Sequence, residues 1–489
     1  MFLIKTYFRS SYQSSNQSLW GYPIKMAQLE PQHFLVVTYP FQGHINPALH
    51  LAKRIARVTG GPVTFSTTHA AHRRMFPSSC QTHDGLLSYL PFSDGCDDTG
   101  GFTGELSGYS KYMSQLKEIG SRTLSQVVSN LTAQGRPVTC IIYTLLVPWA
   151  AEVAREHGIP STHYWIQPAS VFAIYYYYFH GYDELVLSHR DDPLFPVKFP
   201  GLPPLLIQDL PSFLVISSDE SDHFHCVFAA FRDLFSSLDK DKPIVLVNTA
   251  DALEPNVFAA IKELDLVAVG PVMPLGSTSD GGGLFKPDEK EYLQWLDANP
   301  EGSVVYVSFG SLSRSERAQM EELRVGLEES GRPYLWVVRK DDRIEGVELE
   351  NPGSNMKGMV VEWCDQVKVL SHPSVGCFVS HCGWNSVLES LASGVPMVGA
   401  PRISDQKMNA RLVEEEWGAG TRSGIDKDGV VKREELIRCL DLVLGEGERA
   451  VEIRRRAKMW RDRILEIVSQ GGSSDRNLRA FPERVIRQR

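Results

Sequence analysis

Residues 363–406 read WCDQVKVLSHPSVGCFVSHCGWNSVLESLASGVPMVGAPRISDQ, with Trp, His, Asn, Glu, Asp and Gln set densely among short apolar runs. Its middle run, 376–380 (GCFVS), is short and apolar, as a parallel strand buried on both faces is. His381, Cys382 and Gly383 make a tight connection, and 384–393 carries helix-forming residues up to a stop at Gly394. A strand that feeds a turn and then a helix N-terminus offers free backbone N–H groups and a positive dipole end to an anion. His381 and Ser386 add donors at that mouth. Asn385 and Glu389 stand four apart on one helix face, so a carboxylate sits one turn below the anion site. A carboxylate there is badly placed for a phosphate and well placed to accept hydrogen bonds from ribose hydroxyls.

Working outward, 33–39 is an apolar strand, followed by PFQGHINP at 40–47 and a helix from about Pro47. A lone His in a loop is usually structural. His44, however, lies beside a Gly turn at the carboxyl end of a leading strand, where open α/β sheets place their ligands. Further strands are expected at 62–66, 87–90, 138–143, 162–165 and 244–248, alternating with helices. The last of these closes a first half. Residues 272–289, with three glycines at 281–283, read as a linker. A second alternation opens at 303–309 (SVVYVSF) and continues through 334–338, 359–362, 376–380 and 396–399. Regular alternation in both halves predicts an α/β protein of two doubly wound domains. The aromatic run 175–179 (YYYYF) fits core packing and a binding pocket equally well.

Composition narrows the partners. With 489 residues, 43% of them hydrophobic and 22% charged, the chain has material for two or three ordinary cores. A net charge of −9 argues against a nucleic-acid partner. The basic tail 449–489 repeats its apolar residues at helical spacing and reads as the solvated face of a docked helix. The longest apolar stretches, 141–154 and 170–179, are too short to span a membrane. Eight cysteines without framework spacing fit reduced thiols in a cytoplasmic protein, and a monomer is expected. Cys377, His381 and Cys382 lack the second pair a zinc site would need. Residues 1–25 are expected to lie outside the fold, as an upstream start ahead of Met26 in preference to a disordered tail or a transit segment.

The stretch 363–406 closely resembles the donor-binding signature of plant family-1 UDP-sugar glycosyltransferases, in its opening WCxQ, central HCGWNSxLES and closing DQ. The PxQGHxNP loop at 40–47 and the closing GSSDRNLRAF at 472–481 are similar to the same family. The resemblance covers about Gln32 to Phe481 and implies a GT-B fold, two doubly wound Rossmann-like domains facing across a cleft. It implies an acceptor domain at 26–248, a donor domain at 249–460 and a terminal helix within 461–489 that crosses back. Carried over residue by residue, Trp363 would stack on uracil, with Cys364 (through its backbone) and Gln366 holding the base. Ser311, His381, Asn385 and Ser386 would contact the diphosphate, Glu389 the ribose, and Trp384, Asp405 and Gln406 the sugar. His44 would be the catalytic base and, with Ser404, an acceptor contact.

Two departures stand out. Ile403 occupies a place in the last loop where the family often has Trp. Thr144, four before Pro148, stands where most members carry an Asp that orients the His. The stretches YTLLVPWAAEVA, WIQPASV and YYYYF resemble the branch containing anthocyanin 5-O-glucosyltransferases and crocetin glucosyltransferases. Gln406 resembles the glucose-preferring members. The expected reaction is inverting transfer of glucose from UDP-glucose, a co-substrate, to a flavonoid or anthocyanin hydroxyl such as the 5-O position. The alternative is a glucose ester on a carboxylic acid such as crocetin or a plant hormone. No metal or cofactor is expected, since the donors at the helix mouth can stabilise the leaving UDP without one. Hydrolysis or epimerisation of a UDP-sugar is the rival within the same fold. A dinucleotide oxidoreductase would need GxGxxG after the first strand, where PFQGHINP stands instead.

Overall fold

The computed structural model describes residues 32–77, 83–98, 100–102, 108–216, 219, 222–273, 291–310, 317–339 and 357–487. Two largely parallel sheets organise them. The first holds β1 (Phe34–Val37), β2 (Val63–Ser66), β3 (His83–Asp84), β4 (Leu87–Tyr89), β5 (Cys140–Tyr143) and β6 (Ser161–Trp165). After a small separate hairpin, β7 (Pro196–Val197) with β8 (Leu205–Leu206), it is completed by β9 (Ile244–Val247) and β10 (Asp265–Ala268). Its order is β10-β9-β6-β5-β1-β2-β4-β3, parallel except where β3 meets β4. The second sheet holds β11 (Val304–Ser308), β12 (Tyr334–Val337), β13 (Gly358–Val361), β14 (Val375–Ser380), β15 (Met397–Gly399) and β16 (Gly420–Arg422). Its order is β13-β12-β11-β14-β15-β16, parallel throughout. In both sheets the order reverses beside the leading strand, the crevice where doubly wound folds bind ligands.

The central strands are continuous apolar runs because helices cover both of their faces. β1 (FLVV), β9 (IVLV) and β14 (VGCFVS) are buried at every residue. The first sheet runs past Asn248, since β10 pairs with β9 in parallel register, so the first half closes later than the sequence pattern suggests. β10 is only four residues long (DLVA), with Asp265 exposed and Leu266 half-buried, too weak a run to stand out from its loops. The linker 272–289 lies almost wholly outside the described residues.

Near the C-terminus, the helix Glu448–Val468 buries Ile453, Ala457, Trp460 and Ile464 and runs unbroken through residue 461. The Trp460 indole donates to the Trp417 carbonyl (3.1 Å), which keeps this helix on the second domain. The crossing falls to the next helix, Ser473–Arg487, and so begins later than residue 461. There Ser474 donates to Val269 O (2.6 Å), Asn477 to Ala268 O (2.8 Å), and Phe481 packs on Phe34 of β1. Among the described residues no helix is long and apolar enough to cross a membrane.

Polar contacts also tie the halves together. Asp209, buried beside the β7–β8 hairpin, meets Arg411 at 2.5 Å and Arg422 at 2.9 Å from the second domain. The Trp417 indole donates to Leu253 O (3.2 Å).

Candidate active site

The loop after β1 enters a helix, Gln42–Thr59, earlier than Pro47, so His44 lies in its first turn. Its backbone N–H bonds Phe41 O (2.9 Å), and the ring packs at 5.3 Å from Tyr39. Pro47 therefore falls inside the helix and has no N–H to give the carbonyl four residues back, that of Gly43. The second domain supplies the missing donor. Asn385 Nδ2 bonds Gly43 O at 3.1 Å. Thus the carboxyl end of β1 and the helix after β14 are fastened to each other one residue from His44.

The His44 imidazole is drawn down to about 4 by burial, which disfavours its charged form, while the Leu145 backbone pulls weakly the other way. Among the described residues its Nδ1 has no partner at hydrogen-bond geometry. Thr144 does not provide one: it is fully buried, and its hydroxyl pairs with that of Thr38 at 3.0 Å.

Across the cleft, β14 ends at Ser380 and the helix Trp384–Ser393 begins after Gly383, as its strand-turn-helix pattern predicts. The His381 ring is wedged between two glycines. A Cβ on Gly383 would come within 2.5 Å of it and one on Gly310, at φ 74°, within 2.7 Å. Burial lowers His381 to about 4, opposed by the Ser308 backbone and aided by the positive Arg402 and Arg339. A neutral ring at a helix mouth can still donate one N–H. Ser311, next along from Gly310, lies outside the described residues.

The carboxylate one turn down is engaged by its neighbours. Gln366 Nε2 donates to Glu389 Oε2 (2.6 Å) and to Ser386 Oγ (2.9 Å), while Tyr306 O–H donates to Gln366 Oε1 (3.1 Å). Cys364 Sγ lies 3.4 Å from the same Tyr306 hydroxyl. Burial pushes Glu389 up to about 7, with the Gln366 bond opposing it. Trp363, half-buried, precedes Cys364 at the end of this group.

At the far end of the signature, burial raises Asp405 to about 6, against hydrogen bonds that favour its charge, Asn409 foremost. Asn409 Nδ2 bonds both Asp405 Oδ2 (2.7 Å) and Cys382 O (2.9 Å), joining that loop to the β14 turn. Gln406 Oε1 accepts from the backbone N–H groups of Arg402 (2.9 Å) and Ile403 (3.1 Å). Its Nε2 is thereby left as the donor. Ser404 bonds residues of the first domain through both its backbone and its side chain. The Trp384 indole is buried, donates to Asn248 O (2.7 Å) and packs on Trp417.

The family model described as UDP-glucoronosyl and UDP-glucosyl transferase matches residues 222–465. Crocetin glucosyltransferase, chloroplastic, of Gardenia jasminoides is 46% identical over 469 residues, 93% of this chain and 98% of that one. The chain belongs to the plant UDP-glycosyltransferase family. Anthocyanidin 3-O-glucoside 5-O-glucosyltransferase 1 of Perilla frutescens is 41% identical over 93% of this chain and 98% of its own length. The crystal structure of Os79 from O. sativa in complex with UDP superposes with a TM-score of 0.78 at 31% identity, covering 92% of this chain and all of that one.

The chain is thus a UDP-glycosyltransferase of GT-B fold, with the signature spread over the segments that follow the carboxyl ends of β13, β14 and β15. Tyr306 is a member of this glycosyltransferase's Gln366–Glu389 group that sequence reading missed. Its position within SVVYVSF was the available signal, a polar hydroxyl in an otherwise apolar buried strand. The aromatic run is mainly core. Tyr175 is buried and stacks at 4.2 Å on Phe231.

Proposed function

We propose that this glycosyltransferase moves glucose from UDP-glucose to a small aromatic or polyene plant metabolite, at a flavonoid or anthocyanin hydroxyl such as the 5-O position, in the cytoplasm. The observation that carries the proposal is the Asn385–Gly43 bond, which holds the anion-binding helix mouth beside His44. Donor and acceptor held across one cleft react as if within a single molecule. Uracil would rest against Trp363 and the Cys364 backbone, ribose hydroxyls on Glu389, and the diphosphate at His381, Asn385, Ser386 and Ser311.

His44, neutral at pH 7, takes the acceptor proton as the acceptor oxygen bonds to the anomeric carbon and the bond to UDP breaks. Negative charge grows on the leaving phosphate, where the N–H groups of Trp384–Ser393 and the His381 ring are aimed. One displacement inverts the centre, so an α-linked donor gives a β-glucoside. This scheme assigns no step to a metal.

A second reading, ester formation on a carboxylic acid, is favoured by one feature: among the described residues no carboxylate hydrogen-bonds the Nδ1 of the base. Product analysis with UDP-glucose against an anthocyanin, a flavonoid, crocetin and a hormone carboxylate decides between them. UDP-glucose should outperform UDP-galactose and UDP-glucuronate at least about tenfold, or about 1.4 kcal/mol. Equal turnover of two donors contradicts the donor assignment.

A further inference from the structure

We infer that Ser212 and Ser404 form a positioning pair that sets the sugar-holding loop of the second domain in register with the domain that carries His44. The inference rests on the glucosyl-transfer reading above and adds to it a device that aligns sugar with base.

Three hydrogen bonds converge on Ser404 from the first domain. Its N–H donates to Ser212 Oγ (2.7 Å), the Ser212 N–H donates to its carbonyl (3.0 Å), and Gln167 Nε2 donates to its Oγ (3.5 Å). Ser404 holds a φ of 65°, in the left-handed region that a residue with a Cβ occupies only where its surroundings impose it. The reciprocal bond to Ser212 is that imposition, since both polar groups of the Ser404 backbone end on one partner. Ser212 is itself buried, at the start of the short helix Ser212–Val215, so the partner does not drift.

The next two residues are Asp405 and Gln406. The Gln406 carbonyl is pinned by Arg402 and Ile403, and Asp405 is bridged through Asn409 to the β14 turn, so this loop moves as a unit. The Ser404 side chain also favours the ionised form of Asp405. A chain of contacts therefore runs from Gln167, just past β6 in the first domain, through Ser404 to the pair assigned to the sugar. The Asp209–Arg411 pair and the Trp384–Asn248 bond join the domains elsewhere. The serine pair lands next to the sugar, where a shift of about 1 Å can lower the rate by about a hundredfold. UDP itself is assigned to Ser311 and to residues within 363–389, not to this loop, and should not sense the loss.

The test uses the full chain, with Ser212→Ala, Ser212→Thr and Gln167→Ala. Steady-state transfer from UDP-glucose, UDP affinity by calorimetry and melting temperature are measured for each. Ser212→Ala should lower kcat about tenfold with UDP affinity within about twofold of wild type, and Ser212→Thr should restore most of the rate. Gln167→Ala, at a half-buried residue, should lower kcat about threefold, again without loss of UDP affinity or of melting temperature. The pair is overturned if both alanine variants keep wild-type kcat, or if UDP affinity falls in step with rate. Absence of glucosyl product from the wild type would instead overturn the transfer reading, so the two failures are distinct.

Discussion

The side-chain oxygens of Thr144 and Thr38 lie 3.0 Å apart in a fully buried contact, which turns the Thr144 hydroxyl to the end of β1. The consequence falls on His44. Among the described residues His44 Nδ1 meets no carboxylate, so when the ring takes a proton only the Leu145 backbone favours the charge, and burial outweighs it. Such a base suits acceptors that are themselves acidic. A phenol near 10 still needs help at neutral pH, whereas a carboxylic acid near 4 is already ionised.

The pH profile is the first consequence. His44 sits at about 4, below its ordinary 6.5, so the neutral base is present throughout pH 5.5–8. At saturating donor, kcat/KM for a phenol should show no fall across the 6–7 range where an unperturbed imidazole would titrate. The same shift acts on stability. The unfolded chain takes up this proton as pH drops below 6.5 while the fold resists until about 4, so His44 costs the protein stability on the acid side. An inflection near 6.5 that His44→Ala removes would show that the ring is more solvated than the structure has it.

Pro47→Ala tests the link between helix and cleft. Alanine supplies the N–H that Gly43 O lacks within the helix, and it removes the roughly 3 kcal/mol penalty of an interior proline. The melting temperature should hold or rise. Asn385 would then compete for Gly43 O, and kcat should fall several-fold. A variant that is more stable and equally fast would mean that the Asn385–Gly43 bond is incidental.

Glu389→Gln separates binding from stability. Burial lifts this carboxyl from an ordinary 4.5 to about 7, so the unfolded chain ionises first as pH rises. Stability is therefore lost between those two values and stays lost above them. Glutamine, whose carbonyl can still accept from Gln366, should raise the melting temperature at pH 8 and change it little at pH 4.5. The donor KM should rise, because the ribose loses an ionised acceptor. An unchanged donor KM would remove Glu389 from the donor site.

How much of this was legible in the sequence follows from how local each cause is. The β14–turn–helix unit was readable because an apolar run, a Gly turn and a Gly stop lie within 19 consecutive residues, 376–394. Asn385 was readable as a polar group at the mouth. Its bond to Gly43 was not, since that partner is 342 residues away and is free only because Pro47 lies inside a helix, not at its start. The Trp384 indole followed the same rule, turning to Asn248 of the other domain. β16, three residues long (GTR), is fixed by its pairing to β15 and by ion pairs from Arg422, neither of which leaves a local pattern. Thr144 was readable as a hydroxyl where the resemblance implies an acid, yet its partner, Thr38, emerges only from the β1–β5 pairing.

The most direct test compares His44→Ala with wild type on two acceptors, a flavonoid phenol and a carboxylic acid such as crocetin, at pH 7 and saturating UDP-glucose. Removing a general base should slow phenol transfer by at least about a hundredfold, within the usual range for such groups. Ester formation, whose nucleophile is already ionised, should lose less than about tenfold. Equal losses on the two acceptors would contradict the account, because His44 would then be doing something other than taking a proton.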